Sequence, residues 1–193
     1  QLNQGRRKEF RTLTQLVQKE ESVWAEKKPL CPEAENFIAG LKKTGAQKPG
    51  KGFSNLPCRY ENGGIVYPVL SGKTLEDRIR DLVENEQTDE ILRTLKHVYE
   101  HVFAQRKKEP EYQTKVFKEV FGEHPGKEYY ECVSPANIDL ICANIFEFGD
   151  DYEIIDYEWT FDFPVPVAFI MWRMIHELYY RLPKLGALYT QDD

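Results

Sequence analysis

The stretch NIFEFGDDYEIIDY, residues 144–157, constrains the fold most. Two short apolar runs flank the polar turn GDD, and each run has the length of a buried strand. Gly-Asp-Asp continues neither run, so the segment is expected to reverse as a hairpin. The reversal has a chemical consequence. Asn144 stands just before the first strand and Asp156 closes the second, so the hairpin brings both to one end. Asp139 lies five residues before Asn144, on the approach to it.

Asp-x4-Asn, a hairpin, then Asp is an order that phosphoryl transfer from ATP can use. A carboxylate must accept the proton of the attacking hydroxyl, and oxygen ligands must hold Mg²⁺ against the phosphates. Mg²⁺ takes few protein oxygens and fills the rest with phosphate and water, so one Asn amide and one Asp suffice. Taken singly, Asp139 reads equally as a cap, Asn144 as a turn residue and Asp156 as a strand end. Their order around one hairpin favours chemistry.

Upstream, EFRTLTQLVQKEESVWAEKKPL alternates as a β-hairpin, with Val23, Ala25 and Lys27 on one face of its second strand. Pro32 opens a helix, PEAENFIAGLKK, whose apolar stripe is Ala34, Phe37, Ile38 and Leu41. Residues 43–57 read as loop. Asn62-Gly63 marks a tight turn, and IVYPVL reads as a buried strand. Thr74 is the expected N-cap of the next helix, with Asp77 closing a capping box. The segment TDEILRTLKHVYEHVFAQRKK is expected to be helical, as is a shorter helix ending at Gly122. FPVP reads as a link into a last helix, AFIMWRMIHELYYRL. The fold class expected is α+β, with a small lobe over 1–70 and a mainly helical lobe over 71–193.

Composition excludes some functions. Among 193 residues, 26 are basic and 32 acidic, a net charge of −6, which argues against nucleic acid as a partner. No apolar run reaches the roughly 20 residues of a membrane-spanning helix, and the opening QLNQGRRKEF has no signal-peptide core. The four cysteines form no CxxC pair and read as reduced, in a cytoplasmic protein. His97 and His101 have a metal-capable spacing but no evident third ligand. His176 reads as a core histidine. Glu158 and Asp162 read as surface acids, and Trp159, Phe161, Phe163 and Trp172 as core packing rather than a sugar platform.

The chain resembles the protein-kinase-like and aminoglycoside-phosphotransferase-like superfamily over roughly residues 9–180. NIDLICANIF is similar to its catalytic loop, and EIIDYEW to its metal-binding Asp segment, with Tyr157-Glu158 in place of Phe-Gly. IVYPVLSGKTLEDRI resembles the strand, hinge and following helix. VWAEKKPLCPEAENFI resembles the lysine strand and the helix after it. IDYEWTFDFPVPVAFI is similar to the kinase-like modules of bacterial surface-polysaccharide (O-antigen) kinase–methyltransferases and glycosyltransferases. The resemblance implies a two-lobed kinase-like fold with a reduced N-terminal β lobe. It implies ATP and Mg²⁺ as cofactors, with Asp139 as catalytic base and Asn144 and Asp156 as metal ligands. Lys27, with Lys28 as the alternative, would contact the α- and β-phosphates. Glu35, or Glu33, would pair with that lysine, and Val69 and Leu70 would offer backbone groups to adenine. The chain departs from the pattern where a glycine-rich loop would stand: QLVQKEES has no Gly. Asn137-Ile138, not His-Arg, precedes Asp139.

The function expected is phosphoryl transfer to a hydroxyl of a glycan or other small molecule in polysaccharide synthesis. The expected location is cytoplasmic, at the inner membrane only through partners. The alternative is a catalytically inactive kinase-like module that binds a glycan, or a methyltransferase or glycosyltransferase domain beside it.

Overall fold

The computed structural model describes residues 1–123 and 130–188. It is mixed α+β, 39% helical and 28% strand. The chain divides into two compact units. The first comprises residues 1–47 and 55–71, and the second residues 48–54 and 72–193. Among the described residues no helix is long and apolar enough to cross a membrane.

The first unit is an antiparallel sheet with one helix. Strands β1 (Thr12–Lys19) and β2 (Ser22–Pro29) pair from Thr12↔Pro29 to Lys19↔Ser22. That register leaves a two-residue turn, Glu20-Glu21, with Glu20 at φ +55°. A short 3₁₀ turn, Pro32–Ala34, leads into α1 (Glu35–Gly45). Helix α1 buries Ile38 and Leu41 against Ile65 of the sheet. Strands β4 (Arg59–Glu61) and β5 (Gly64–Pro68) meet at Asn62-Gly63, whose φ values of +51° and +74° suit the twist of paired strands. The order is β1-β2-β5-β4.

Residues 43–57, expected to be loop, are not all irregular. Helix α1 runs to Gly45, and Phe53–Asn55 forms β3. The strand is set by partners about a hundred residues on. Gly52 O accepts from Tyr152 N at 2.7 Å, and Phe53 stacks on Tyr152 with ring centroids 4.4 Å apart. Gly50 is required here, because a Cβ would stand 2.3 Å from His101 O.

In the second unit α2 (Leu75–Glu84) starts at Thr74 with a complete capping box. Helix α3 (Thr88–Val102) buries Ile91, Thr94, Val98 and Val102. It ends earlier than expected, because Lys107–Glu109 is strand β6, paired with β7 (Tyr130–Val133). Arg106 marks the break: its guanidinium donates to Phe103 O at 3.0 Å and to Glu131 at 3.1 Å. The short helix α4 (Lys115–Phe121) is stopped by Gly122 at φ +80°; residues 124–126 of the segment expected here lie outside the described residues. Four further strands follow: β8 (Ala136–Asn137), β9 (Ile145–Phe148), β10 (Asp151–Ile154) and β11 (Thr160–Phe161). FPVP is more than a link, since Val165–Pro166 forms β12 against β7. Helix α5 (Val167–Arg181) and a last short turn, α6 (Leu185–Leu188), close the unit. Its sheets are β3-β10-β9, β11-β8 and β12-β7-β6.

The core of this unit joins Leu75 and Ile79 of α2, Ile91 and Val98 of α3, Ile145 and Ile154 of the β9–β10 hairpin, and Ile170, Met174 and Leu178 of α5. The hairpin is therefore clamped by helices, which fixes what protrudes from its end.

Candidate functional site

The loop between β8 and β9 is built from the backbone outward. Leu140, Cys142 and Ile145 are buried and anchor it in the core. Between them the chain turns through a 3₁₀ segment, Cys142–Asn144. Asp139 N donates to Asn137 Oδ1 at 2.9 Å, a side-chain turn that aims the next residues. Asp139 O accepts twice, from Ile141 N at 2.8 Å and from Asn144 Nδ2 at 3.0 Å. Asn144 thereby spends its amide N–H on the loop, and Oδ1 is the atom left to face a cation.

Asp156 is fixed from the other side. Ile154 pairs with Ile145, and Ile155 N donates to Asn144 O at 2.8 Å, so the ladder runs to the last residue before Asp156. Asp156 then takes φ +53°, a left-handed conformation that costs an ordinary residue about 1 kcal/mol and that Asp tolerates better. Its side chain is exposed. Tyr157 turns into the core and Thr160 Oγ1 donates to its carbonyl at 2.8 Å. Strand β11 then returns to pair with β8, and Ile138 N donates to Trp159 O at 3.1 Å. The two-stranded β8–β11 sheet so brings the Asp139 loop beside the Asp156–Glu158 turn.

Asp139 is held among charges. Burial, then the nearby Asp156 carboxylate, push its carboxyl above the usual carboxylate range, and Glu158 adds in the same direction. Arg173 of α5 pulls it back: its Nη2 donates to Asp139 Oδ1 at 2.9 Å, and its Nε donates to Ile138 O at 2.8 Å. Glu158 is not the surface acid expected; it is 7% exposed. Asp162 is exposed. Trp172, expected in the core, is 58% exposed, with its ring 5.1 Å from His176, while Trp159, Phe161 and Phe163 are half-buried.

The remaining residues lie in the first unit. Lys27 sits on β2 between Thr14 of β1 and Ile65 of β5, and is 7% exposed. Lys28 is half-exposed and pairs with Glu26 on its own strand at 2.8 Å. Burial thus separates two lysines that the sequence left as alternatives. Glu35 is exposed at the start of α1, and Glu33 faces Lys8 at 3.6 Å. Val69 and Leu70 follow β5, Val69 exposed and Leu70 half-buried.

Sequence reasoning missed Arg173. The signal was present: one charge inside the apolar run AFIMWRMI needs a partner. The His97 and His101 rings lie 4.0 Å apart in a tilted arrangement, and His97 also adjoins Phe53 and Tyr152. Among the described residues no group of three or more His, Cys, Asp or Glu could hold a metal ion by itself. A cation at the Asp139 loop would therefore rest on Asn144 and Asp156 together with oxygens of a second ligand such as phosphate.

No family model, curated protein or solved structure matches this chain.

Proposed function

We propose that the chain is an ATP- and Mg²⁺-dependent phosphotransferase of kinase-like fold, acting on a hydroxyl of a glycan or another small molecule. The observation that carries this reading is the hydrogen bonding of Asn144 to the backbone of Asp139 and of Ile155, the residue before Asp156. The Asn144 side chain holds Asp139 O at 3.0 Å, and its carbonyl takes the ladder bond from Ile155. These bonds tie the backbone at Asp139, at Asn144 and next to Asp156 to one end of one clamped hairpin, which supports the positioning that phosphoryl transfer asks of a protein.

In this reading Asp139 takes the proton of the acceptor hydroxyl while the hydroxyl oxygen bonds to the γ-phosphorus. The bond to the β,γ-bridging oxygen breaks and ADP leaves with that electron pair. Asn144 and Asp156 would hold Mg²⁺, which would supply charge neutralisation at the phosphates. By the resemblance alone, Lys27 would contact the α- and β-phosphates, Glu35 would pair with it, and Val69 and Leu70 would meet adenine. The glycan acceptor, the setting in surface-polysaccharide synthesis, and a methyltransferase or glycosyltransferase partner rest on the resemblance alone.

One observation favours the second reading, a catalytically inactive kinase-like module. The β1–β2 turn is Glu20-Glu21, so two acidic side chains stand where a phosphate loop would offer backbone N–H groups. Thermal unfolding with millimolar Mg²⁺-ATP separates the two. At about 100 times the dissociation constant, ligand adds about 2.7 kcal/mol. For a chain of this length that is about 2–4 °C per kcal/mol. A Mg²⁺-dependent shift in the native chain, lost in Asp156→Asn, supports the phosphotransferase. No shift in either leaves the inactive module.

A further inference from the structure

The loop that carries Asp139 has no cation beside it in sequence, since Asn137-Ile138 precedes it. The fold supplies one from Arg173, thirty-four residues away. Helix α5 turns Ile170, Met174 and Leu178 to the core, and Arg173 leaves the helix on the flank of that stripe. Its guanidinium donates to two consecutive residues, to Ile138 O through Nε at 2.8 Å and to Asp139 Oδ1 through Nη2 at 2.9 Å. The fork is planar and rigid, so two bonds fix its plane. Ile138 is held from both sides, its N–H by Trp159 O at 3.1 Å and its carbonyl by Arg173. Asp139 Oδ1 accepts from Arg173, so Oδ2 is the oxygen better placed to take a proton. Asp156 and Glu158 lie close enough to repel the Asp139 carboxylate, and Arg173 is the cation that offsets them.

We propose that Arg173 is the positioning residue for Asp139: it clamps the end of β8 and orients the carboxylate so that one oxygen faces the acceptor. This rests on the reading of Asp139 as the base. A lysine could keep the charge but could not make both bonds in one plane.

The test is ADP release from Mg²⁺-ATP without added acceptor. Water then takes the place of the hydroxyl: Asp139 takes its proton, its oxygen bonds to phosphorus, and ADP leaves. The native chain is compared with Arg173→Ala, Arg173→Lys, and Arg173→Ala with millimolar guanidinium. A base displaced by about 1 Å loses on the order of 10²-fold in rate. Arg173→Ala is expected to fall by about that factor while keeping the native Mg²⁺-ATP melting shift. Guanidinium is expected to restore part of the rate, and Arg173→Lys to stay well below native. If Arg173→Ala does not fold, Arg173→Gln carries the same comparison. Turnover in Arg173→Ala within a few-fold of native overturns the proposal. So does a loss that follows the melting shift and does not respond to guanidinium, which is what a merely structural arginine gives. A native chain with neither melting shift nor ADP release overturns the phosphotransferase reading itself, and this assignment with it.

Discussion

Asp139 carries opposing demands. Burial and two neighbouring carboxylates resist its ionisation, while the chemistry proposed for it needs the ionised form. A folded-state pKa raised above the unfolded value means that the folded chain binds this proton more tightly. The ionised group therefore costs stability at neutral pH, and the cost is relieved as pH falls through the raised value. Asp139→Asn removes the cost. Melting in EDTA at pH 7.5 is expected to place Asp139→Asn at or above the native chain, with the advantage shrinking as pH is lowered, while ADP release is lost. A variant that melts well below native at pH 7.5 would mean that the Arg173 ion pair outweighs the burial. That Asn144 and Asp156 stand at one end of a hairpin was legible from the two apolar runs around a polar turn, and that Asp139 lies on the approach to it from the five-residue spacing. Arg173 and the burial of Glu158 were not. Each depends on a packing partner that spacing along the chain does not record.

At the scale of elements, α2 is a local device. Thr74 Oγ1 accepts from Asp77 N at 3.1 Å, and Asp77 accepts from Thr74 N at 3.0 Å, which with the Thr74 hydroxyl and Arg80 holds the Asp77 carboxyl below the usual range. Thr74→Ala is expected to cost about 1 kcal/mol. That is a drop of about 2–4 °C in Tm, read by circular dichroism. The Asp77 share has a defined pH window. Its folded pKa is depressed, so the contribution is present above the ordinary 3.8 and is lost as pH falls below it. Asp77→Asn should therefore melt below native at pH 7 and approach it at acid pH. A pH-independent difference would place the effect elsewhere. This element could be read from four consecutive residues. The strands β3, β6, β7, β8, β11 and β12 could not, because each has only two to four residues and takes its hydrogen bonds from a distant segment.

At the scale of the molecule, the cysteines report whether the core is closed. All four are free thiols; Cys31 and Cys58 are partly exposed, and Cys132 and Cys142 are buried. Burial pushes the Cys132 thiol up to about 12 and the Cys142 thiol further up, so neither forms thiolate at ordinary pH. A chromogenic disulfide reagent at pH 8 is expected to label two thiols in the folded chain and four in urea. Four fast thiols without urea would contradict the packing of α5 and β7. The sequence by itself determined the α+β class, the β1–β2, β4–β5 and β9–β10 hairpins, the helix faces and the polar residues at the end of the β9–β10 hairpin. Those follow from alternation, 3.6-residue periodicity and turn chemistry, which act over a few residues. Tertiary structure alone decided that residues 48–54 leave the first unit for the second, that Lys27 rather than Lys28 is buried, and that Arg173 meets Asp139. These depend on which surfaces pack together, and a one-dimensional pattern fixes what a segment must bury without naming what will cover it.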